Sequence, residues 1–274
     1  MQIFLRILIP LTYAAAAVLY AANFQERRDR VGRAATALLV AGWVLHTGLL
    51  GLRAISTGHV PIMNTPEVLS TCAWILVIVY AYLELSTKDR ALGALVAPIV
   101  TVLHAFASVG FGQVEIPVHL LSRSRWFEAH VFSNILAYTA FSISWVSSIM
   151  YVFLLGEIQT KHLGFFYKRL PPLQTLDQIN GRAASFGFAF LTVGLAASSA
   201  WIHQVRGQFW VWNEPAFAGA LIAWVIYAAH LCARAVAGWR GKRAAFLSIV
   251  GFTLVLFTFP VVGIFFPGRH SFSN

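Results

Sequence analysis

The chain has 274 residues, of which 58% are hydrophobic and only 11% are charged, and its mean hydropathy is +0.71. Soluble globular proteins do not carry so large an apolar fraction, so the composition excludes that class and indicates a polytopic membrane protein. The formal net charge of +10 would suit nucleic acid, but basic residues in a membrane protein must first be tested for sidedness.

Eight apolar runs are long enough to cross a bilayer, which takes about 20 mostly apolar residues per helix. Because only short connections remain between them, we predict an all-α membrane helix bundle of about eight transmembrane helices that forms a single domain over residues 1–274. The predicted helices are roughly Leu5–Ala22, Ala34–Ile55, Val68–Leu85, Ala91–Phe111, Ala129–Leu155, Gly181–Ala200, Pro215–Ala235 and Ala244–Phe266.

The first run, Leu5–Ala22, also has features of a secretory signal: a preceding positive charge at Arg6, an apolar stretch and small residues near its end. Four arginines follow it, and they would lie on the wrong side of the membrane for cleavage and export. We therefore predict that this run is the first transmembrane helix.

The basic residues gather on alternate connections, which hold fourteen of the twenty Lys and Arg. By the positive-inside rule, that side is cytoplasmic, so both termini and the connection between the sixth and seventh helices face outward. A nucleic-acid partner is not expected. The fourteen are Arg27, Arg28, Arg30, Arg33, Lys88, Arg90, Lys161, Lys168, Arg169, Arg182, Arg234, Arg240, Lys242 and Arg243.

Several histidines lie in or beside the apolar runs. We expect His104 to be buried with a backbone partner, and His46 is either a packed core residue or a ligand. His230 is about 22 Å below the outer surface, counting 1.5 Å per residue, so it is either functional or reaches toward the inner headgroups. His130 opens the fifth helix and His270 follows the eighth, both at the outer boundary.

The outer connection between the sixth and seventh helices is aromatic and nearly uncharged. It contains Trp201, Trp210 and Trp212 with Arg206 and Asn213. Tryptophans are enriched where lipid meets water, so one interpretation of these residues is an aromatic belt at the membrane surface and nothing more. The other is that flat rings, an amide and a guanidinium together suit a large, flat, anionic cofactor. Two neutral imidazoles, His130 and His270, would then be the axial ligands of its iron.

In the order and spacing of its short motifs, the chain resembles the cytochrome c assembly proteins of the CcsA type, haem-handling membrane proteins with a Trp-rich "WWD" outer loop. The resemblance covers most of the chain. Its motifs are Gly58-His59-x-Pro61 with Glu67, Ala97-Pro98, Ile116-Pro117 with Trp126, His130 with Tyr138 and Ala140, Leu176-Asp177, Phe190-Leu191-Thr192-x-Gly194, Trp210-x-Trp212, Trp224, Gly238-Trp239-Arg240-Gly241 and His270-Ser271-Phe272.

The resemblance implies a function, namely binding haem b transiently and without covalent attachment at the outer face and delivering it for cytochrome c maturation. It implies that His130 and His270 are the two flanking iron ligands and that Trp210 and Trp212 are loop tryptophans. It further implies a membrane partner subunit, an apocytochrome c acceptor and a bacterial inner membrane location. Any enzymatic role would be as part of a haem lyase complex, because we find no independent catalytic site.

The chain departs from the family pattern at several positions, including the replacement of a downstream Pro-Lys-Glu by Glu214-Pro215-Ala216, with one extra residue before Trp224. Arg206 stands where the family has a first loop Trp, Asn213 replaces its Asp, and Cys232 occupies the place of its intramembrane His. His230 is two residues from that place, about 200° around a helix, and His46 is a further candidate. These departures keep two alternatives open: a haem-free regulator or scaffold of the same fold, and a haem transporter.

Overall fold

The computed structural model describes residues 2–110, 124–161, 164–209 and 215–265, apart from the side chains of 206, 215, 216 and 258–265. Within these ranges the regular structure is entirely helical. The helices are α1 (Gln2–Glu26), α2 (Asp29–Thr57), α3 (Thr65–Thr87), α4 (Gly93–Gly110), α5 (Arg125–Gln159), α6 (Leu173–Arg206), α7 (Pro215–Val236) and α8 (Lys242–Phe265).

The eight predicted helices are confirmed, and most extend several residues beyond the apolar runs. In the described part of the chain, seven helices, α1 to α7, are long and apolar enough to cross a membrane. The chain is therefore a multi-pass membrane protein. Extension beyond the apolar runs is expected, because polar residues outside a bilayer core can continue the backbone hydrogen bonds at no desolvation cost.

The breaks between helices follow local sequence signals. Helix α2 ends at Thr57 and is followed by Gly58, whose φ of 73° is the left-handed conformation that glycine adopts without a steric penalty. Helix α3 begins after Asn64, whose side chain accepts a hydrogen bond from the Glu67 backbone N–H, and Pro66 occupies its first turn. The segment from Gly58 to Glu67, with one glycine and two prolines, does not favour a continuous helix, and the structure has the break between Thr57 and Thr65.

Two compact units make up the chain. Unit 1 comprises Met1–Arg123 and Gly156–Pro172, and unit 2 comprises Ser124–Leu155 and Leu173–Asn274. In unit 1, α1 packs against α2 and α4, and α3 packs against α4 and α2. In unit 2, α7 packs against α8 and α6, and α6 also contacts α8. That residues 1–274 form a single domain stays a prediction.

The core of unit 2 depends on small residues that let helices approach closely. Phe141 of α5 stacks on Tyr227 of α7 with ring centroids 3.6 Å apart. A Cβ added at Gly187 of α6 would lie 2.5 Å from the Phe141 ring, so only glycine leaves room for it. Gly187 thus lets α5 and α6 pack closely at this position.

Unit 1 is crossed by buried polar clusters. One cluster lies at the end of the unit that the positive residues predict to be cytoplasmic. There Glu84 accepts hydrogen bonds from Tyr20, Tyr80 and Thr36 and pairs with Arg90 at 3.1 Å. Near the outer end, Arg53 pairs with Glu67 at 2.6 Å, and Glu67 also accepts the Met63 backbone N–H at 2.9 Å. Each buried carboxylate thus has an arginine and neutral donors, as the cost of burying a charge requires.

Candidate functional site

His130 lies in the second turn of α5, at the predicted outer end of unit 2. Its Nδ1 is 2.9 Å from the carbonyl oxygen of Gly194 on α6. A carbonyl only accepts, so Nδ1 carries the proton, and Nε2 of the neutral ring holds the lone pair. Histidines that ligate metals commonly have this second hydrogen bond, which fixes the tautomer and the orientation of the ring. His130 therefore fits an iron ligand through Nε2.

Asn134 is one turn further along α5 and lies against the same imidazole. Its Nδ2 is 3.2 Å from Nδ1 and 3.3 Å from Nε2 of His130. Because Nδ1 carries the proton, the amide can donate only to the Nε2 lone pair, and at this length it donates weakly. Its Oδ1 is buried without a hydrogen-bond partner among the described residues. Among the described residues, this long contact is the one hydrogen bond that iron binding at Nε2 would replace.

Gly194 brings α6 close enough to make this arrangement. A Cβ at position 194 would lie 2.5 Å from Asn134 Oδ1 and 3.5 Å from Ser133 Cβ. Only a residue without a side chain therefore lets the 194 carbonyl reach His130 while Asn134 stays in place.

Aromatic contacts tie the start of α5 to the end of α6. The Phe127 and Trp201 rings have centroids 4.9 Å apart, and the Ser124 hydroxyl donates to Gln204 Oε1 at 2.9 Å. Trp201, one of the predicted cofactor-binding residues, is buried in this contact. These contacts hold the base of the Trp-rich connection next to the helix that carries His130.

The remaining outer candidates are not in the described part of the structure. His270, Trp210, Trp212 and Asn213 fall outside the described residues, and of Arg206 only the backbone, at the end of α6, is described. The convergence of His130 and His270 on one iron therefore stays a prediction.

His46 belongs to a buried polar cluster in unit 1, far along the chain from His130. Its Nδ1 is 3.1 Å from the Tyr13 hydroxyl and its Nε2 is 2.8 Å from Ser70 Oγ, which in turn lies 3.3 Å from His104 Nδ1. The two imidazole centroids are 4.1 Å apart. A metal–imidazole bond is about 2 Å long, so axial ligands on one iron need ring centres clearly farther apart. His46 and His104 do not sandwich a haem in this arrangement.

The expectation for His104 is half right. It is buried as predicted, but its hydrogen bond goes to the Ser70 side chain rather than to the backbone. Ser70 has one proton to give, so it donates to one imidazole and accepts from the other. His104 Nε2 has no partner among the described residues.

His230 is fully buried in unit 2, so it does not reach toward the inner headgroups. Its ring lies 6.2 Å from Tyr227, and neither ring nitrogen makes a hydrogen bond of ordinary geometry with the described residues. Cys232, at the place of the family's intramembrane His, is exposed. The buried ring and the exposed thiol agree with the predicted rotation of about 200° between the two positions.

Sequence reasoning missed two residues that the structure places next to candidate ligands. Asn134 is spaced four residues from His130, so the two share a helix face, and this signal was available. Ser70 lies 24 residues from His46 and 34 from His104. No local pattern reveals that contact, because it depends on how three helices pack.

A match to the sequence model of one protein family assigns the chain to that family. The model of the cytochrome c assembly protein family matches residues 62–270, which is most of the chain. The chain belongs to the cytochrome c assembly protein family. Membership assigns it a role in cytochrome c maturation, and the resemblance drawn from its motifs is confirmed.

Named relatives agree with this assignment. The chain is 32% identical over 244 residues to the cytochrome c biogenesis protein CcsA of Guillardia theta, covering 82% of this chain and 81% of that protein. It is 30% identical over 252 residues to CcsA of Chlorella vulgaris, covering 81% and 80%. It is 26% identical over 288 residues to CcsA of Microcystis aeruginosa, covering 88% and 87%.

The fold also has a solved counterpart. The cytochrome c haem lyase CcmF superposes with a TM-score of 0.63 at 15% sequence identity, over 94% of this chain and 47% of that one. At this identity the likeness is one of fold, and this chain spans about half the length of CcmF. It supports the helical fold described above.

Proposed function

We propose that this protein holds haem b transiently at its outer face and presents it for attachment to apocytochrome c. His130 and His270 are the axial iron ligands in this proposal. Trp210 and Trp212 cover the porphyrin, Trp201 supports the base of their connection through its contact with Phe127, and Arg206 and Asn213 bind the propionates. Haem is the cargo, bound without a covalent link.

The observation that carries the proposal is the hydrogen bond from His130 Nδ1 to the Gly194 carbonyl oxygen at 2.9 Å. It holds the imidazole in the tautomer that ligates iron and fixes the direction of Nε2 before any ligand arrives. A ligand prepared in this way loses less conformational freedom on binding, so it binds more tightly than a free side chain.

The chain's own part in the reaction is to orient the cargo. Bound haem would supply the vinyl groups that become thioether links to cysteine thiols of the acceptor. His130 and His270 fix the porphyrin plane, and the aromatic connection keeps water from its face. A partner subunit in the same membrane brings the apocytochrome, and we propose that this membrane is the bacterial inner membrane.

The proposal is tested by the absorbance spectrum of the purified chain. We expect wild type to contain haem with a low-spin spectrum of two imidazole ligands, and His130→Ala plus His270→Ala to lose it. Imidazole added to the His130→Ala variant should restore the low-spin spectrum, because free imidazole can occupy the vacated axial position. His59→Ala, an outer-side histidine whose Nδ1 lies 2.9 Å from the Val60 carbonyl oxygen, is the matched control.

Equal haem content in wild type and the double variant would remove the site. Absence of haem from wild type would favour the haem-free regulator or scaffold, the alternative that the exposed Cys232 and the altered positions Arg206 and Asn213 support. Normal cytochrome c maturation in a null strain would favour the same alternative. The two measurements are independent, since one reports on ligand binding and the other on the role in the cell.

A further inference from the structure

The inner end of unit 2 contains a basic cavity that the haem proposal does not use. Its volume is about 730 Å³, and its lining includes Asp177 and Arg182 of α6, Arg234 of α7 and Arg240 of the α7–α8 turn. A second cavity of about 320 Å³ shares Ser185, Arg234 and Arg240 with it. Three guanidinium groups and one carboxylate therefore face a common space.

The single carboxylate of the lining is already neutralised. Arg234 binds Asp177 through two nitrogens, Nη1 to Oδ1 at 2.9 Å and Nη2 to Oδ2 at 3.0 Å. Oδ1 also accepts the Gly241 backbone N–H at 2.9 Å. Arg182 and Arg240 make no ion pair with a carboxylate of the described residues. The lining consequently carries two uncompensated positive charges.

Backbone geometry positions two arginines of the cavity, Arg234 and Arg240. A Cβ at Gly181 would lie 2.7 Å from Arg234 Nη2, so glycine lets this side chain lie across α6. Arg240 sits in a turn between Gly238 and Gly241, whose φ angles are 63° and 65°. Two hydrogen bonds fix this turn. The Trp239 backbone N–H donates to the Ala233 carbonyl oxygen at 3.0 Å, and the Gly241 backbone N–H donates to Asp177 Oδ1. The charge at 240 is thus presented by a fixed loop.

The cavity changes from basic to apolar along the helix axis. Asp177 and Arg182 lie near the start of α6, and Phe186, with 52% of its surface exposed, lies nine residues beyond Asp177. At 1.5 Å per residue, this separation is roughly 13 Å along the helix axis. Half of a hydrocarbon core is about 15 Å thick, so Phe186 would lie deep in one leaflet when Asp177 is at the headgroups. Leu231 continues the apolar side on α7.

We propose that this cavity binds the headgroup of an anionic phospholipid of the inner leaflet, with its phosphate between Arg182 and Arg240 and an acyl chain along Phe186 and Leu231. Guanidinium groups suit phosphate because they present paired donors, and basic pockets between membrane helices bind anionic headgroups. Haem, the other anionic amphiphile, is disfavoured because the residues lining the cavity include no His, Cys, Met or Tyr to ligate iron.

The test is native mass spectrometry of the full chain released from nanodiscs containing equal amounts of phosphatidylglycerol and phosphatidylcholine. We expect wild type to retain one phosphatidylglycerol in preference to phosphatidylcholine. Arg182→Gln plus Arg240→Gln should lower this retention by roughly tenfold. Arg30→Gln plus Arg33→Gln, which removes the same charge from exposed positions of unit 1, should leave it unchanged.

Three results would overturn the proposal. Equal retention of the two lipids by wild type would exclude a headgroup site, and this measurement needs no variant to fold. Displacement of the lipid by inorganic phosphate at millimolar concentration would mean that the cavity takes a free anion. Haem content that falls in the Arg182 and Arg240 variant, with phosphatidylglycerol retention unchanged, would mean that the cavity serves the cargo. Loss of haem from the His130 variant alone leaves the lipid proposal intact.

Discussion

At the scale of single residues, the least expected feature is the pair of fully buried histidines in unit 1, His46 and His104. Ionisable side chains within membrane helices are costly and persist when they are paired. Here the Ser70 hydroxyl is hydrogen-bonded to both rings, and the Tyr13 hydroxyl is hydrogen-bonded to Nδ1 of His46. The neutral rings are stabilised by a hydrogen-bonded chain from four helices rather than by a counter-ion.

Replacing Ser70 by alanine should therefore destabilise unit 1. The change leaves His46 Nε2 and His104 Nδ1 buried without a partner, and unpaired buried polar groups cost roughly 1–3 kcal/mol each. Since alternative partners in membrane proteins reduce such costs, we expect a loss of about 2 kcal/mol. The measurement is thermal unfolding in detergent. Ser86→Ala changes an exposed serine of the same helix, whose hydroxyl donates to the Leu83 carbonyl of its own helix, and should behave as wild type.

The second prediction at this scale concerns Gly194. Gly194→Ala introduces a Cβ 2.5 Å from Asn134 Oδ1, which moves the amide and lengthens the bond that orients His130. Loss of such an orienting bond typically lowers metal affinity by roughly 10–100-fold, and we expect haem affinity to fall within that range. Haem titration followed by absorbance measures it. Gly48→Ala, where nothing lies within 4 Å, is the control, and equal affinities in both variants would contradict the positioning role.

At the scale of helices, the sequence was a good guide to what depends on local composition. The runs of about 20 apolar residues predict all eight helices, and glycine or proline marks the break at residues 58–64. The contacts that build the sites were out of reach, because the Ser70 bridge and the Gly194–His130 bond depend on the register between helices distant in sequence. His130 was predictable as a boundary histidine, but its tautomer was not.

One side-chain amide joins three helices of unit 2. Asn180 Oδ1 of α6 accepts from Ser144 of α5 and from Ser248 of α8, each at 2.7 Å. Hydrogen bonds between membrane helices contribute about 0.6 kcal/mol on average, so Asn180→Ala should cost roughly 1–2 kcal/mol. Thermal unfolding of this variant, compared with Gln174→Ala at an exposed position of α6, measures the effect. A variant as stable as the control would show that the amide does not hold these helices together.

At the scale of the whole molecule, the distribution of charge is the strongest statement that the sequence makes about topology. Fourteen of the twenty Lys and Arg lie on one set of connections, and such a bias orients a helical membrane protein with that side inward. The candidate haem site at His130 and the proposed lipid cavity at Arg182 then belong to opposite sides of the membrane. Cargo presentation and headgroup binding would not compete for the same surface.

This orientation can be tested with single cysteines in a chain that carries Cys72→Ala and Cys232→Ala. Ser56→Cys at the end of α2 and Ser86→Cys at the end of α3 both replace exposed residues. We expect a membrane-impermeant maleimide added to intact cells to label Ser56→Cys, and to label Ser86→Cys only after the membrane is permeabilised. The reverse pattern would place both termini inside. It would also move His130 to the cytoplasmic face, where it could not present haem to an acceptor outside, so the orientation is a requirement of the proposed function.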